Sequence, residues 1–132
     1  MRRKPIISIA ITLLLVSIGQ SVVVSRDALA SSCEDTESLL EMNKCAKDAY
    51  NTSETRLNEM YKNVKESLNY AEKSRFNKAH RKWNAFRESY CEFATYALRN
   101  EPGLPFHKND CLDRITKQYI ENLEKYMEDL DV

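Results

Sequence analysis

Apolar side chains recur at steps of three and four residues through most of the chain after residue 35, which is the spacing of one side of an α-helix. The pattern predicts three amphipathic helices, over residues 36–70, 75–99 and 112–130. Their apolar positions are Leu39, Met42, Ala46, Ala49, Leu57, Met60, Val64 and Leu68 in the first; Phe76, Ala79, Trp83, Phe86, Tyr90, Ala94 and Ala97 in the second; and Leu112, Ile115, Tyr119, Leu123, Tyr126 and Leu130 in the third.

Polar and helix-breaking residues indicate where these helices end. Thr36 and Ser74 are suited to cap the first two helices, because a hydroxyl oxygen can accept a hydrogen bond from a free N–H group of the first turn. Residues 101–105 read Glu-Pro-Gly-Leu-Pro, so we predict a loop over residues 100–110. Residues 51–53, Asn-Thr-Ser, are a weak point where the first helix is expected to bend or restart.

None of the three helices can bury its apolar side alone, so we expect them to pack on one another. The predicted fold class is all-α, a small three-helix bundle built from a long helical hairpin and a C-terminal helix. A domain of this size has a modest core, so covalent reinforcement would be useful to it.

The first thirty residues have the features of a signal peptide. A basic start at residues 2–4 precedes an apolar run over residues 6–18, and residues 28–30 read Ala-Leu-Ala, a pattern typical of a cleavage site. We predict a signal peptide over residues 1–30 and a helical domain over residues 31–132. The mature domain is expected in the periplasm or outside the cell, with no stable membrane insertion.

Two alternatives to cleavage fit the sequence less well. An uncleaved anchor would have to extend through Gly19 and Gln20, which weaken the apolar run. A lipid-modified Cys33 would need an apolar run close before it, but residues 30–32 read Ala-Ser-Ser.

All four cysteines, Cys33, Cys45, Cys91 and Cys111, lie in the predicted mature domain. An even number in an exported chain indicates two disulfide bonds, whereas a zinc site requires more closely spaced pairs. The predicted hairpin brings all four to one end of the bundle, where bridges between helices are feasible. The spacing leaves the pairing open between 33–111 with 45–91 and 33–91 with 45–111.

Charge narrows the class of partner. Loss of residues 1–30 leaves 20 − 4 = 16 basic and 20 − 1 = 19 acidic residues, a net charge of −3. Such a chain has no basic excess with which to neutralise phosphates, which argues against nucleic acid as a partner. A mild acidic excess favours a basic partner.

The sequence contains no recognisable catalytic motif. Neither His80 nor His107 has a second histidine at metal-ligand spacing, and the carboxylates are spread along helix faces at the spacing of ion pairs. We therefore predict no catalytic residues, no metal, no cofactor and no enzymatic activity.

Several short segments, in a fixed order, carry a family pattern. They are Cys33 with Thr36, Met42-Asn43-Lys44-Cys45, Leu57-Asn58-Glu59-Met60-Tyr61, Trp83 with Phe86, Arg87, Glu88 and Cys91, and Cys111-Leu112 with Thr116. In this pattern the chain resembles the LprI-like lysozyme inhibitor family of small exported bacterial domains. The chain departs from the pattern at His80, where glutamine is common, at Tyr119, where arginine is common, and in the loop before the last cysteine, which is often rich in glycine.

The resemblance implies a non-enzymatic protein that binds a lysozyme, or another basic enzyme that attacks the cell envelope, by protein–protein contact. Two alternatives stay open. One is a structural or accessory domain of the envelope, and the other is an immunity-type protein without activity against lysozymes.

Trp83, Arg87 and Cys91 follow one another at four-residue steps, so they lie on one side of a helix. We interpret this side as a buried seam in which the arginine pairs with an acid of a neighbouring helix. Asn58 and Tyr61 are expected in the same buried hydrogen-bonding layer. The proposed structural signature of the fold is Asn43, Leu57, Asn58, Tyr61, Trp83 and Arg87.

The predicted loop over residues 100–110 is the candidate for partner binding. Leu104 and Phe106 are apolar residues in a segment expected to be exposed, and His107 follows them. These three residues are the predicted partner-binding positions.

Overall fold

The computed structural model describes Cys33, Thr36 and residues 38–130. Within this part of the chain the protein forms three helices and no strand: α1 (Leu39–Ser67), α2 (Tyr70–Thr95) and α3 (Leu104–Leu130). A single 3₁₀ turn, Tyr96–Leu98, follows α2. The predicted all-α class is confirmed, while the predicted signal peptide lies outside the described residues.

Helix α1 runs without a break through the polar residues 51–53, so the restart considered there is wrong. The hydroxyl groups of Thr52, Ser53 and Thr55 donate hydrogen bonds to backbone carbonyls three or four residues earlier. These side chains are therefore satisfied within the helix and do not compete with its backbone hydrogen bonds.

The turn between α1 and α2 is two residues long and is closed by a capping box. The side chain of Asn69 accepts a hydrogen bond from the backbone N–H of Glu72, and the Glu72 carboxylate accepts one from the backbone N–H of Asn69. Two N–H groups that a helix start leaves free are thereby paired. The predicted cap at Ser74 is wrong, because this Asn-x-x-Glu pattern starts α2 earlier.

Helix α3 begins at Leu104, eight residues before the predicted start at Leu112. Pro105 is its second residue, a position where proline is tolerated because the first-turn N–H groups have no partner within the helix. Phe106 is only 5% exposed. It packs with Cys33 and Ala46 in a small apolar cluster, so the expectation of an exposed loop here is wrong.

The three helices run up, down and up. Tyr61 bonds to Asn77 and Arg87 pairs with Glu54, so α1 and α2 are antiparallel. Residues of α1 contact residues of α3 that lie about 60–68 positions later, as in Arg56 with Glu124. Because this separation stays similar along both helices, the two helices are parallel. The long hairpin with a C-terminal helix is confirmed, and α3 packs more extensively on α1 than on α2.

The main core cluster lies towards the hairpin end, where residues of α1, α3 and the turn meet. Its buried members are Leu57, Val64, Leu68, Ile120 and Leu123. Each such side chain contributes about 1.5–3 kcal/mol by its removal from water. In this cluster the apolar sides of α1 and α3 bury each other, which neither helix could do alone.

Both disulfide bonds form, but neither weighed pairing is correct. Cys33 pairs with Cys45 and Cys91 pairs with Cys111, with Cα–Cα distances of 5.6 and 5.7 Å. The early start of α3 places Cys111 in its second turn, level with Cys91 near the end of α2. The second bridge therefore joins two helices, whereas the first ties the segment before α1 to that helix.

Removal of the Cys91–Cys111 bridge by the double change Cys91→Ala and Cys111→Ala is expected to lower the free energy of unfolding by about 3 kcal/mol, because a loop of this length loses its constraint in the unfolded chain. Urea denaturation followed by circular dichroism measures the change. A loss below about 0.5 kcal/mol would contradict this account.

Candidate functional site

Arg87 lies at the centre of a polar layer that joins all three helices. Its residue surface is 4% exposed. One terminal nitrogen, Nη1, donates to the carboxylate of Glu54 on α1 and, at 2.9 Å, to the hydroxyl of Thr116 on α3. The other, Nη2, donates to Glu88 at 3.4 Å. A buried cation is tolerated because a carboxylate and a hydroxyl oxygen take the place of water.

Two aromatic rings flank the Arg87 guanidinium. Its central carbon lies 4.8 Å from the ring centroid of Trp83 and 5.4 Å from that of Tyr50. The negative faces of the rings attract the cation and exclude water from it. Burial raises the pKa of the Tyr50 hydroxyl, against the lowering effect of the Arg87 charge. The pairing expected for a buried seam at Arg87 is present.

An aromatic cluster surrounds His80, one turn before Trp83. The imidazole centroid lies 4.4 Å from the ring of Tyr61, 5.8 Å from Tyr119 and 5.9 Å from Trp83. Trp83 and Tyr119 stack on each other at 4.1 Å. Burial, assisted by the charge of Arg87, lowers the pKa of His80 below its ordinary value, so the imidazole is neutral at pH 7.

The remaining signature residues divide into buried and exposed. Leu57 is buried in the core, and Asn43 is partly buried. Tyr61 is partly buried and donates from its hydroxyl to Asn77 Oδ1 at 2.6 Å. Asn58 is exposed, so its expected place in the buried hydrogen-bonding layer is wrong. Glu54 and Thr116 hold that place instead, because they lie on the sides of α1 and α3 that face Arg87.

Three large aromatic side chains are exposed along the C-terminal half of α2 and the following 3₁₀ turn. Phe86 is 56% exposed, Phe93 79% and Tyr96 64%. Tyr90 is partly buried and stacks on Phe86 at 5.6 Å between ring centroids. We refer to Phe86, Tyr90, Phe93 and Tyr96 as the aromatic face.

Charged side chains of both signs surround the aromatic face. Glu92, whose side chain is 68% exposed, and Glu101 lie near it, while Glu88 lies on the side of α2 that carries Arg87. The nearby cations are Lys82, one turn before Phe86, Arg99, which lies 4.6 Å over the ring of Tyr96, and Lys108, which is 3.7 Å from Glu92. Exposed rings with a charged border are suited to contact a protein.

Sequence reasoning missed this face because it placed Phe86 on the buried side of α2 and left out Phe93. The seven-residue step from Phe86 to Phe93, with Tyr90 between them, is the signal that defines a second apolar stripe. The buried side of the same half-helix is formed by Arg87, Cys91 and Thr95.

The three predicted partner-binding positions lie in the first turn of α3 and its neighbourhood. Phe106 is buried, Leu104 is partly buried, and only His107 is exposed. The structure therefore gives a partner little apolar surface at these positions. It provides such a surface on α2 instead.

An open groove of about 870 Å³ lies along α1 and α3. Its charged lining residues are Glu41, Lys44, Asp48, Arg56, Glu59 and Lys117. Three acids and three bases cancel, so the groove has no net sign with which to attract a charged partner. With three exposed rings, the aromatic face is the better candidate for binding a protein.

Two kinds of site find no support in the described residues. No three histidine, cysteine, aspartate or glutamate side chains come together there at a distance suited to a metal ion. No helix among them is both long and apolar enough to cross a membrane.

The polar layer around Arg87 predicts that losing its ion pair with Glu54 costs more stability than losing the pair of Arg56 with Glu124. Glu54→Gln leaves the buried Arg87 with only the longer ion pair to Glu88, so we expect a loss of about 2 kcal/mol in the free energy of unfolding. The matched change Glu124→Gln weakens the partly exposed pair with Arg56 and should cost less than about 1 kcal/mol. Urea denaturation of both variants tests this, and equal losses would show that the buried pair stabilises the fold no more than the partly exposed one.

The lowered pKa of His80 predicts that the folded protein loses stability in acid. Because its pKa is lowered in the folded protein, the unfolded chain binds a proton first as the pH falls below the ordinary value of 6.5. The free energy of unfolding should therefore decrease from that pH down to the folded pKa, and level off below it. His80→Gln, which carries the residue common in the family pattern, should remove part of this decrease between pH 7 and pH 5. Identical pH profiles for both proteins would contradict the prediction.

Comparison with known proteins agrees with the fold and its signature. Residues 30–123, which are 94 of the 132 residues, match the family model described as Lysozyme inhibitor LprI. The chain is also similar to an uncharacterised protein of Rhizobium meliloti (strain 1021), with 25% identity over 109 residues that cover 73% of this chain and 78% of that protein. No solved structure matches the chain. Since the family model covers well over half of the sequence, the chain belongs to the LprI lysozyme inhibitor family.

Proposed function

We propose that this protein binds a basic lysozyme through the aromatic face of α2 and thereby inhibits it. The observation that carries the proposal is the exposure of Phe86, Phe93 and Tyr96 on a helix whose opposite side is fixed in the core. Membership of a lysozyme inhibitor family supplies the class of partner. Contact between proteins suffices for the activity, and no catalytic residue is required.

The size of the face is compatible with a specific interface. Aromatic side chains bury roughly 150–250 Å² each, so three that are more than half exposed offer on the order of 400 Å². That is about half of what one partner contributes to an interface of standard size, near 800 Å². The carboxylates around the face would supply part of the rest, as a polar rim.

Rigidity favours tight binding by this face. Arg87 fixes the middle of α2 to both other helices, and the Cys91–Cys111 bridge fixes its end to α3. A helix held in this way loses little conformational entropy when a partner binds. Glu92 and Glu101 can pair with basic groups of the enzyme at the edge of the face, and the net charge of −3 of the chain after residue 30 favours its approach, which makes association sensitive to salt.

The first experiment measures lysis of cell walls by lysozymes of different classes, with and without the oxidised protein, together with co-elution in size-exclusion chromatography. Inhibition of at least one class with a stoichiometric complex is expected, and it should weaken as salt is raised. Absence of both inhibition and a complex across the panel would contradict the proposed function.

A second experiment locates the surface. Phe93→Ser with Tyr96→Ser removes two rings that are exposed, so the fold should be unaffected while inhibition weakens by about tenfold or more. Tyr70→Ser is the matched control, because Tyr70 is 91% exposed at the opposite end of α2. If the double variant inhibits as well as the unchanged protein, the aromatic face is not the binding surface, whatever the protein inhibits.

A further inference from the structure

Basic residues are concentrated at the hairpin end of a chain that is otherwise acidic. Residues 62–82 hold seven bases and two acids, 7 − 2 = +5, although the chain after residue 30 has a net charge of −3. The bases are Lys62, Lys65, Lys73, Arg75, Lys78, Arg81 and Lys82. The two-residue turn between α1 and α2 brings the members on both helices close together.

Three of these lysines line one cleft. The cleft has a volume of about 370 Å³ and lies in the angle between the last turns of α1 and the first turn of α2. Its lining residues are Tyr61, Lys62, Lys65, Glu66 and Lys73. The cleft is open to solvent, so a ligand could reach its lysines without a change in the fold.

The lysines of the cleft are not neutralised by the protein. Within the described residues, no carboxylate oxygen lies within 4.0 Å of any of the seven basic groups at this end. Lys65 and Lys73 are partly buried, and Lys65 Nζ lies 5.1 Å from the centroid of the Tyr61 ring. Positive groups held together without counter-ions repel one another, so an anion placed between them would be stabilised.

The charge of the cleft comes from its side chains, because the start of α2 at Tyr70 is already capped by Asn69 and Glu72. Glu66 is the one acid among the lining residues, which leaves the lining with a net charge of 3 − 1 = +2. This excess of positive charge attracts an anionic ligand.

From these observations we infer that the cleft binds a phosphate group, carried by a phosphate-bearing molecule such as an anionic lipid or a soluble phosphate ester. The ammonium groups of Lys62, Lys65 and Lys73 approach it from two helices, and the Tyr61 ring forms one wall. This site is independent of lysozyme inhibition. Lys73 and Phe93 are 20 residues apart on α2, about 30 Å along the helix axis, so both sites can be occupied at once.

Calorimetric titration of the full oxidised protein with sodium tripolyphosphate tests the site. Binding is expected, and Lys65→Gln with Lys73→Gln should weaken it by about tenfold or more. Lys78→Gln with Lys82→Gln removes the same charge from exposed positions outside the cleft and should weaken it by less than about threefold. Circular dichroism checks that both double variants keep the helical content of the parent.

Flotation with vesicles of phosphatidylglycerol, and of phosphatidylcholine as the control, distinguishes the sources of the phosphate. Binding to phosphatidylglycerol vesicles that is lost in the cleft variant supports a lipid headgroup as the ligand. Binding of tripolyphosphate alone supports a soluble ester. If neither probe binds, or if both double variants lose binding equally, the cleft is not a phosphate site.

Discussion

The fold depends on a positive charge in its interior. Arg87 lies where the three helices meet, and its guanidinium requires a partner from each neighbour: Glu54 from α1 and Thr116 from α3. A buried cation is unfavourable in any arrangement that leaves it unpaired, so a shift that removed Glu54 and Thr116 from Arg87 would be costly. Apolar stripes alone would allow helices of this length to slide past one another by a turn. The pairing of Arg87 is therefore the feature that selects the observed packing.

The same constraint separates the two sides of α2. Arg87, Cys91 and Thr95 face inward, so the aromatic residues between them are left on the outside. Phe86 and Phe93 are exposed because the residues that α2 contributes to the core lie on its other side. Exposed rings contribute less to the core than buried ones, and this is why the aromatic character of these two positions points to a function outside the fold.

Much of the architecture could be predicted from the sequence. The three apolar stripes predicted the helices, and the four-residue steps from Trp83 to Cys91 predicted which side of α2 faces the core. Other features depend on contacts between residues distant in sequence. The start of α3 at Leu104 was hidden by Pro105, which reads as a loop residue but is accepted in a first turn. Because that start sets the position of Cys111, the disulfide pairing could not be predicted correctly without it. Which of Asn58 and Glu54 faces Arg87 depends on the rotation of α1 about its own axis, and no local sequence pattern specifies that rotation.

Both disulfide bonds lie at one end of the bundle, where α1 and α3 begin and α2 ends. The other end, with the turn at residues 68–69, is held by side-chain packing and by one capping box. The two ends are therefore held by different means, one by covalent bonds and the other by the burial of apolar side chains. Denaturants weaken apolar burial but leave disulfide bonds intact, so the turn end should be the first to lose its packing as urea is raised. The aromatic face lies on the bridged half, and the lysine cleft lies on the half that depends on packing.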